Sequence, residues 1–335
     1  MSILFVGNIL SKHRGTLGPS EKITRLLGEE YHIKAVSDKA SQLPRLLDII
    51  WTCFTADYKL VIADTYSGNA FNIARVASII ARLRRKKLVL VLRGGRLPEL
   101  YKTNRSNVQT VLNRADKIIS PSQYLIGFLK PEGYEVEYYP DFIDTSVFTE
   151  QPQERKPFSL LWVRAFKYIY NPELAVKILH SVAQKYPEAT LTMVGPDDGL
   201  LNDVKKLAAE LGVLDKIEFI GRVDNKQLPA YYSSHSVYLN TTSYESFGIA
   251  VVEAASCGIP VVSTKVGEIP YIWADGEDMM IVDGFDADAM ASRVTAMFGD
   301  KELWQKISGN AKTKARKFSW DEIKKKWETL FAEKA

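Results

Sequence analysis

Cysteine is scarce in this chain. Cys53 and Cys257 are its two, each among apolar neighbours and without C-x-x-C spacing, which excludes a disulfide-stapled fold and a thiolate zinc site. Histidine is nearly as rare, and His13, His32, His180 and His235 stand at spacings that form no ligand pair on one helix face. No apolar run approaches the ~20 residues that a bilayer span requires. The longest, Leu46 to Phe54, is broken by polar residues. No basic, apolar and small-residue leader precedes Ile3-Leu4-Phe5-Val6, so a cytoplasmic location is expected. Repeats and low-complexity tracts are missing too, and no predicted strand runs into G-x-G-x-x-G, which argues against dinucleotide-dependent redox chemistry.

What is present is a globular composition, 46% hydrophobic and 25% charged, over 335 residues, enough for two domains with a core each. The net charge of +4 is unevenly spread: residues 1–150 hold 21 Lys+Arg against 15 Asp+Glu, and residues 151–335 hold 23 against 25. The densest basic cluster is Arg82, Arg84, Arg85, Lys86 and Lys87. Two readings stand for it, a solvated helix end complementing the macrodipole and a surface that attracts an anionic membrane face or acidic acceptor. No nucleic-acid partner is expected.

Short β-branched runs alternate with helix-period segments throughout, the rhythm of α/β folds with helix-covered parallel sheets. Strands are predicted near Ile3–Val6, Ile33–Val36, Leu60–Ala63, Leu88–Leu92, Lys117–Ser120 and Glu135–Tyr139, then near Leu160–Val163, Thr190–Val194, Ile217–Ile220, Val237–Leu239, Pro260–Ser263 and Met279–Val282. Helix starts are marked by Gly18-Pro19-Ser20-Glu21, by Asn171-Pro172-Glu173 and by Asp224. The polar stretch 149–157 reads as a linker between an N-terminal domain over 1–148 and a C-terminal domain over 158–318. From 319 to 335 a further amphipathic helix presents Trp320, Ile323, Trp327 and Leu330 on one face.

The segment Ser243-Tyr244-Glu245-Ser246-Phe247-Gly248-Ile249-Ala250-Val251-Val252-Glu253 runs from a strand into a helix. At that end of a parallel sheet, helix N–H groups and dipoles gather anions, so Glu245 and the N–H groups of Ser246, Phe247, Gly248 and Ile249 stand at a ligand-binding mouth. Glu253 is the one charge in an apolar helix, and a buried carboxylate requires donors from protein or ligand. The plainer alternative makes Glu245 a helix cap and Glu253 an interior ion-pair partner. Asp197-Asp198 reads as a turn and helix cap rather than a metal motif.

This stretch resembles the E-x7-E signature of the retaining glycosyltransferases of family 4. The resemblance extends to Tyr139-Pro140-Asp141-Phe142-Ile143-Asp144 with Phe148, similar to the family's hinge motif, and to Phe318-Ser319-Trp320, which looks like its tail, where a C-terminal helix crosses back to the first domain. It implies a GT-B fold, two Rossmann-like doubly wound parallel-sheet domains facing each other across a cleft. It further implies sugar transfer from a UDP- or GDP-sugar with retention of configuration, without a metal or prosthetic group, to a glycan, lipid-linked or other hydroxyl acceptor. Peripheral contact of the basic half with the inner membrane face is an additional expectation.

By the same resemblance Glu245 holds sugar hydroxyls, Glu253 the ribose, and Arg164 with Lys167 the diphosphate, although the family's lysine lies where this chain has Ile169. Gly221, Arg222 and Val223 follow a strand where relatives hold the nucleobase through the backbone. Arg93, after the fourth strand, stands near a position that in relatives carries a sugar-contacting histidine, and domain closure is expected to bring it toward Glu245. Gly18, with Gly15, matches a loop that lets a phosphate or acceptor approach the first helix. Glu268 and Tyr271 replace a glycine and a glutamate of the family's next turn. Two rival functions keep the same scaffold, a nucleotide-sugar epimerase or phosphorylase, and a degenerate glycan-binding or scaffold subunit.

Overall fold

The computed structural model describes residues 2–14 and 17–334, so the expectation placed on Gly15 lies outside the described residues. By their contacts the residues form two compact units, Met1–Asp141 with Asp321–Ala335, and Phe142–Trp320. Each is built on one six-stranded sheet with every neighbouring pair parallel.

In the first unit the strands are β1 (Ser2–Val6), β2 (His32–Val36), β3 (Leu60–Thr65), β4 (Lys87–Leu92), β5 (Lys117–Ser120) and β6 (Glu137–Tyr138), in the order β2-β1-β3-β4-β5-β6. Parallel strands covered on both faces should be apolar along their whole length, and β3 is buried at all six positions. Ala74, Ala77 and Ala81 line the inner face of the helix Phe71–Leu83, and their small side chains let it sit close to the sheet. The C-terminal helix Trp320–Lys334 belongs to this unit from Asp321 onward. Trp327 fixes it there, with its ring centroid 6.3 Å from Phe5 and 5.6 Å from Tyr139, while Phe331 meets Tyr31 edge-on at 4.9 Å.

Part of the basic cluster is structural. Arg84 donates to the carbonyls of Cys53 (2.7 Å) and Ala56 (2.8 Å), closing the end of the helix Gln42–Thr55, and lies over the ring of Tyr58. Burial pushes the Cys53 thiol up to about 12, with Arg84 a smaller opposing effect, and burial with Glu253 does the same for Cys257, so neither is a reactive thiolate at neutral pH.

The second unit repeats the plan with β7 (Ser159–Val163), β8 (Thr190–Val194), β9 (Ile217–Gly221), β10 (Val237–Asn240), β11 (Val261–Thr264) and β12 (Met280–Val282), ordered β12-β11-β10-β7-β8-β9. The polar stretch 149–157 is bonded into this unit. Arg155 donates to the carbonyls of Tyr232, His235 and Cys257, and Glu150 receives both Arg155 and Lys312. Its polarity answers helix-end carbonyls that would otherwise be orphaned.

His235 gives this unit a pH dependence. Its Nδ1 lies 2.8 Å from the Tyr231 carbonyl and must donate to it, leaving Nε2 to accept from the Thr192 hydroxyl at 2.8 Å. Burial pushes its pKa down to about 4, against the raising effect of the Tyr231 bond. A depressed histidine means that the unfolded chain takes up the proton first as pH falls, so its stabilising contribution is complete above about pH 6.5 and lost below it. Between pH 7.5 and 5 the expected loss is about 2 kcal/mol, or about 4–8 °C in Tm. Melting curves of wild type and His235→Gln across that range check this, because the variant should lack this part of the decline.

Candidate active site

In an open parallel sheet, ligands gather beyond the carboxyl ends of the strands where the winding order reverses. In the second unit the chain winds outward from β7 to β9 and then restarts on the other side at β10, so the reversal lies between β7 and β10. Arg164 immediately follows β7, and Glu245 lies in the loop after β10. Arg164 Nη2 donates to Glu245 Oε2 at 2.8 Å and reaches Asn240 Oδ1, at the end of β10, at 3.4 Å. The ion pair therefore spans the reversal point.

The loops that carry the pair are pinned by short polar side chains. Thr241 Oγ1 donates to the Tyr170 carbonyl and receives Trp162 Nε1, Thr242 and Ser243 both bond to the Ile169 carbonyl, and Thr264 Oγ1 donates to the Thr242 carbonyl. Two glycines permit close approach of the backbone. At Gly195 (φ +150°) a Cβ would collide with the Arg164 carbonyl, and at Gly267 (φ +52°) it would collide with that of Glu245. Glu268 N also donates to the Glu245 carbonyl, at 3.0 Å. The loops after β7, β8, β10 and β11 thus hold Arg164 and Glu245 from several sides.

Gly248 takes a left-handed conformation (φ +95°) and is the N-cap of the helix Ile249–Ser256. Phe247 is buried edge-on against Phe318, so its side chain anchors the loop and only its backbone is left to face a ligand. Glu253 is buried about 6 Å along the axis from Ile249, in a helix whose residues 250–256 are all buried.

The buried phenol of Tyr238 reports which charges meet here. Burial is the main cause pushing it up to about 12; Arg164 opposes this, while Glu245 and Glu253 add to it. One group thus feels all three residues. Arg164 itself stays protonated: burial works against its charge, but Tyr238, Glu245 and Tyr170 outweigh this and raise it above the ordinary guanidinium range. Its plane also lies 5.4 Å from the Tyr170 ring centre, and its buried Nε is without a hydrogen-bond partner among the described residues. Asn240 and Tyr238 could not be singled out in the sequence because only the pairing of β7 with β10 brings them to the arginine, whereas Tyr170 follows β7 on the same connection as Arg164.

The other expected site residues of this unit lie in the loop after β7 and at the end of β9 and just beyond it. Lys167 is exposed, and its ammonium pairs with Asp198 at 2.8 Å. Asp198's neighbour Asp197 accepts from Gly199 N and Leu201 N, the turn and helix cap expected of it. Gly221 closes β9 in a left-handed conformation and accepts a bond from Gly195 N at 2.8 Å; Arg222 beyond it is exposed, and Val223 packs on the core.

In the first unit Gly18 caps the helix Pro19–Leu27 in an extended conformation, with Glu21 Oε2 3.5 Å from its N–H. Arg93 is held inside a buried charge network: Nε donates to Asp64 Oδ1 at 2.8 Å and Nη1 to Asp141 Oδ1 at 2.5 Å. Asp64 also receives Ser20 Oγ and Tyr66 Oη. Asp64 carries the signal that drew attention to Glu253, a lone carboxylate in the apolar run Leu60-Val61-Ile62-Ala63-Asp64, so sequence reasoning could have found it. Among the described residues no three His, Cys, Asp or Glu side chains converge in a way that could hold a metal ion.

A family model described as "Glycosyl transferases group 1" matches residues 144–314, just over half of the chain and nearly all of the second unit. The chain belongs to the group 1 glycosyl transferases. Among curated relatives it is 29% identical over 225 residues to the D-inositol 3-phosphate glycosyltransferase of Mycolicibacterium smegmatis, covering 63% of this chain and 51% of the relative. The chain spans about half or less of the length of such relatives. The fold is shared with the sucrose-phosphate synthase of Thermosynechococcus elongatus (TM-score 0.82, 16% identity, 99% of this chain and 98% of that one). It is shared also with Anabaena HepE, solved with UDP and glucose (TM-score 0.76, 18% identity, 99% of each chain). The GT-B type of fold implied by the glycosyltransferase resemblance is thereby the fold of this chain.

Proposed function

We propose that this chain is a retaining, metal-independent glycosyltransferase that moves a sugar from a UDP- or GDP-sugar to a hydroxyl of a glycan or lipid-linked acceptor. The observation that carries the reading is the Arg164–Glu245 pair across the winding reversal, with Glu253 buried in the helix beside it. In this reading the Glu253 carboxylate accepts from the ribose hydroxyls and Glu245 from those of the sugar. Arg164 and the helix start at Gly248 and Ile249 offset the charge that the leaving nucleotide diphosphate gains as its bond to the anomeric carbon breaks. Lys167 joins them on exchanging Asp198 for a phosphate. The acceptor oxygen attacks from the face that the diphosphate leaves, and the departing phosphate oxygen takes its proton, so no side-chain base is required. That structures of this fold hold UDP and glucose, and that curated relatives are named for an inositol phosphate acceptor, supports the donor and hydroxyl-acceptor classes.

A thermal-shift screen of nucleotide sugars tests the reading, since a ligand bound to the native state raises Tm by mass action. The expected result is a shift with a UDP- or GDP-sugar that chelator leaves unchanged, slow donor hydrolysis without acceptor, and product of retained anomeric configuration. Glu253→Gln is expected to weaken donor binding by about ten- to a hundredfold, because the ribose hydroxyls lose a charged acceptor. Donor binding within about twofold of wild type, measured by calorimetry, would remove Glu253 from the site. A second reading, a non-catalytic binding subunit, is favoured by the commitment of Lys167 to Asp198 and of Arg93 to Asp64 and Asp141. Donor binding without any hydrolysis or transfer would select it.

A further inference from the structure

Outside the site, the least expected surface in the first unit is the outer face of the helix Gln42–Thr55. Its inner face docks on the sheet through Ile49, Thr52 and Cys53, all buried. At about 100° per residue, Leu43, Leu47, Trp51 and Phe54 fall within an arc of about 80° on the opposite side. They are 68%, 58%, 70% and 49% exposed. A helix of a soluble domain ordinarily turns charged residues outward, and a contiguous exposed apolar stripe marks an interaction surface. The next helix, Phe71–Leu83, packs against this one and adds exposed Ile79 and Leu83.

Charge decides what the stripe meets. From Phe71 to Lys87 the chain carries six cations, Arg75, Arg82, Arg84, Arg85, Lys86 and Lys87, and no acidic residue. Arg84 bonds to the end of the stripe-bearing helix, which places this basic run beside Phe54, and Arg75, Arg82, Arg85 and Lys87 are exposed. Trp51 also lines a groove in which Lys12, Arg25 and Lys34 stand with Glu21, Asp38 and Asp48. Most acids nearby are engaged: Glu21 receives Ser11, Asp48 receives Ser37 Oγ, Asp38 pairs with Lys12 and Lys39, and Asp116 pairs with Lys87, while Asp57 is exposed. Aromatic and leucine side chains on one helix face, rimmed by arginine and lysine, match the boundary between anionic headgroups and acyl chains. Among the described residues no helix is long and apolar enough to cross a membrane.

We propose that the face formed by Leu43, Leu47, Trp51 and Phe54, with the basic run Arg75–Lys87, docks the first unit on an anionic lipid bilayer. The proposal is independent of the transfer chemistry, because it uses none of the residues assigned to the site.

The probe is flotation with phosphatidylglycerol–phosphatidylcholine vesicles, against phosphatidylcholine alone. Binding is expected to the anionic vesicles, weakening steeply as salt shortens the screening length from about 10 Å at 0.1 M to about 3 Å at 1 M. Leu47→Ser with Trp51→Ser should lower the vesicle partition constant at least about tenfold, and Arg82→Glu with Arg85→Glu should do so independently. All four positions are exposed, and unchanged Tm confirms that the variants fold. Brominated lipid should quench the emission of wild type and spare Trp51→Phe, because Trp162, Trp273 and Trp327 are buried and the half-buried Trp304 and Trp320 belong to the second unit. Absence of binding to anionic vesicles, or binding that both double variants retain, overturns the proposal. Concentration-dependent dimerisation abolished by Leu47→Ser with Trp51→Ser, without vesicle binding, would overturn it in favour of a second copy of the chain.

Discussion

Arg164→Met is expected to lower kcat by about 10²–10³-fold, the loss seen when a preorganised group that stabilises transition-state charge is removed. The argument is electrostatic. A largely buried guanidinium at the reversal of the second sheet already has Glu245, Asn240 and Tyr170 around it, so its position is set before a donor arrives and no reorganisation is required during bond breaking. Arg164→Lys should restore only part of the rate, because one ammonium on a flexible stem cannot reproduce a planar fork that reaches two partners at once. Steady-state kinetics separate this from a packing defect: a binding defect would move KM, whereas loss of charge stabilisation in the transition state lowers kcat and kcat/KM together. A kcat within about threefold of wild type for Arg164→Met would withdraw the role proposed for this residue.

Arg93→Met is expected to act chiefly on stability. Arg93 is the cation between two buried carboxylates, Asp64 and Asp141; burial works against its charge, and those carboxylates with Tyr66 more than restore it, so it is held protonated. Removing one partner of a buried ionic network leaves uncompensated charge, at a cost of about 3–5 kcal/mol. In a unit of this size that corresponds to a Tm lower by about 10 °C. Calorimetry reads the melting, and amide exchange in β3 and β4 locates it. Arg93→Met combined with Asp64→Asn should recover part of the loss, since the double change removes charge on both sides. A Tm within about 2 °C of wild type would show the network to be dispensable and return Arg93 to consideration as a reacting-site group alone.

Local signals in this chain are strong and mutually consistent. Runs such as Leu60–Ala63 and Leu160–Val163 are apolar and buried at every position, so their character announced parallel strands, and Pro19, Pro172 and Asp224 announced helix starts where the structure has them. The positions of Glu245 and Glu253 at and inside one helix were equally legible, because their meaning depends on residues adjacent in sequence.

Polar residues were harder to place. The stretch 149–157 has the composition of a solvated linker, yet Arg155 spends its donors on carbonyls of residues 232, 235 and 257, which the chain brings close only after folding. Arg93 likewise reads as an available cation until Asp64 and Asp141 are seen to surround it.

By itself the sequence determined the α/β rhythm, the doubled sheet and the loop and helix where the two carboxylates lie, since hydrophobic periodicity and capping are interactions among residues a few positions apart. Only the tertiary structure decided which charges face each other. Whether Arg164 meets Glu245, Lys167 meets Asp198 or Arg93 meets two aspartates depends on strand order and loop approach, and the interaction of charges is set by distance and burial in space, which spacing along the chain does not encode.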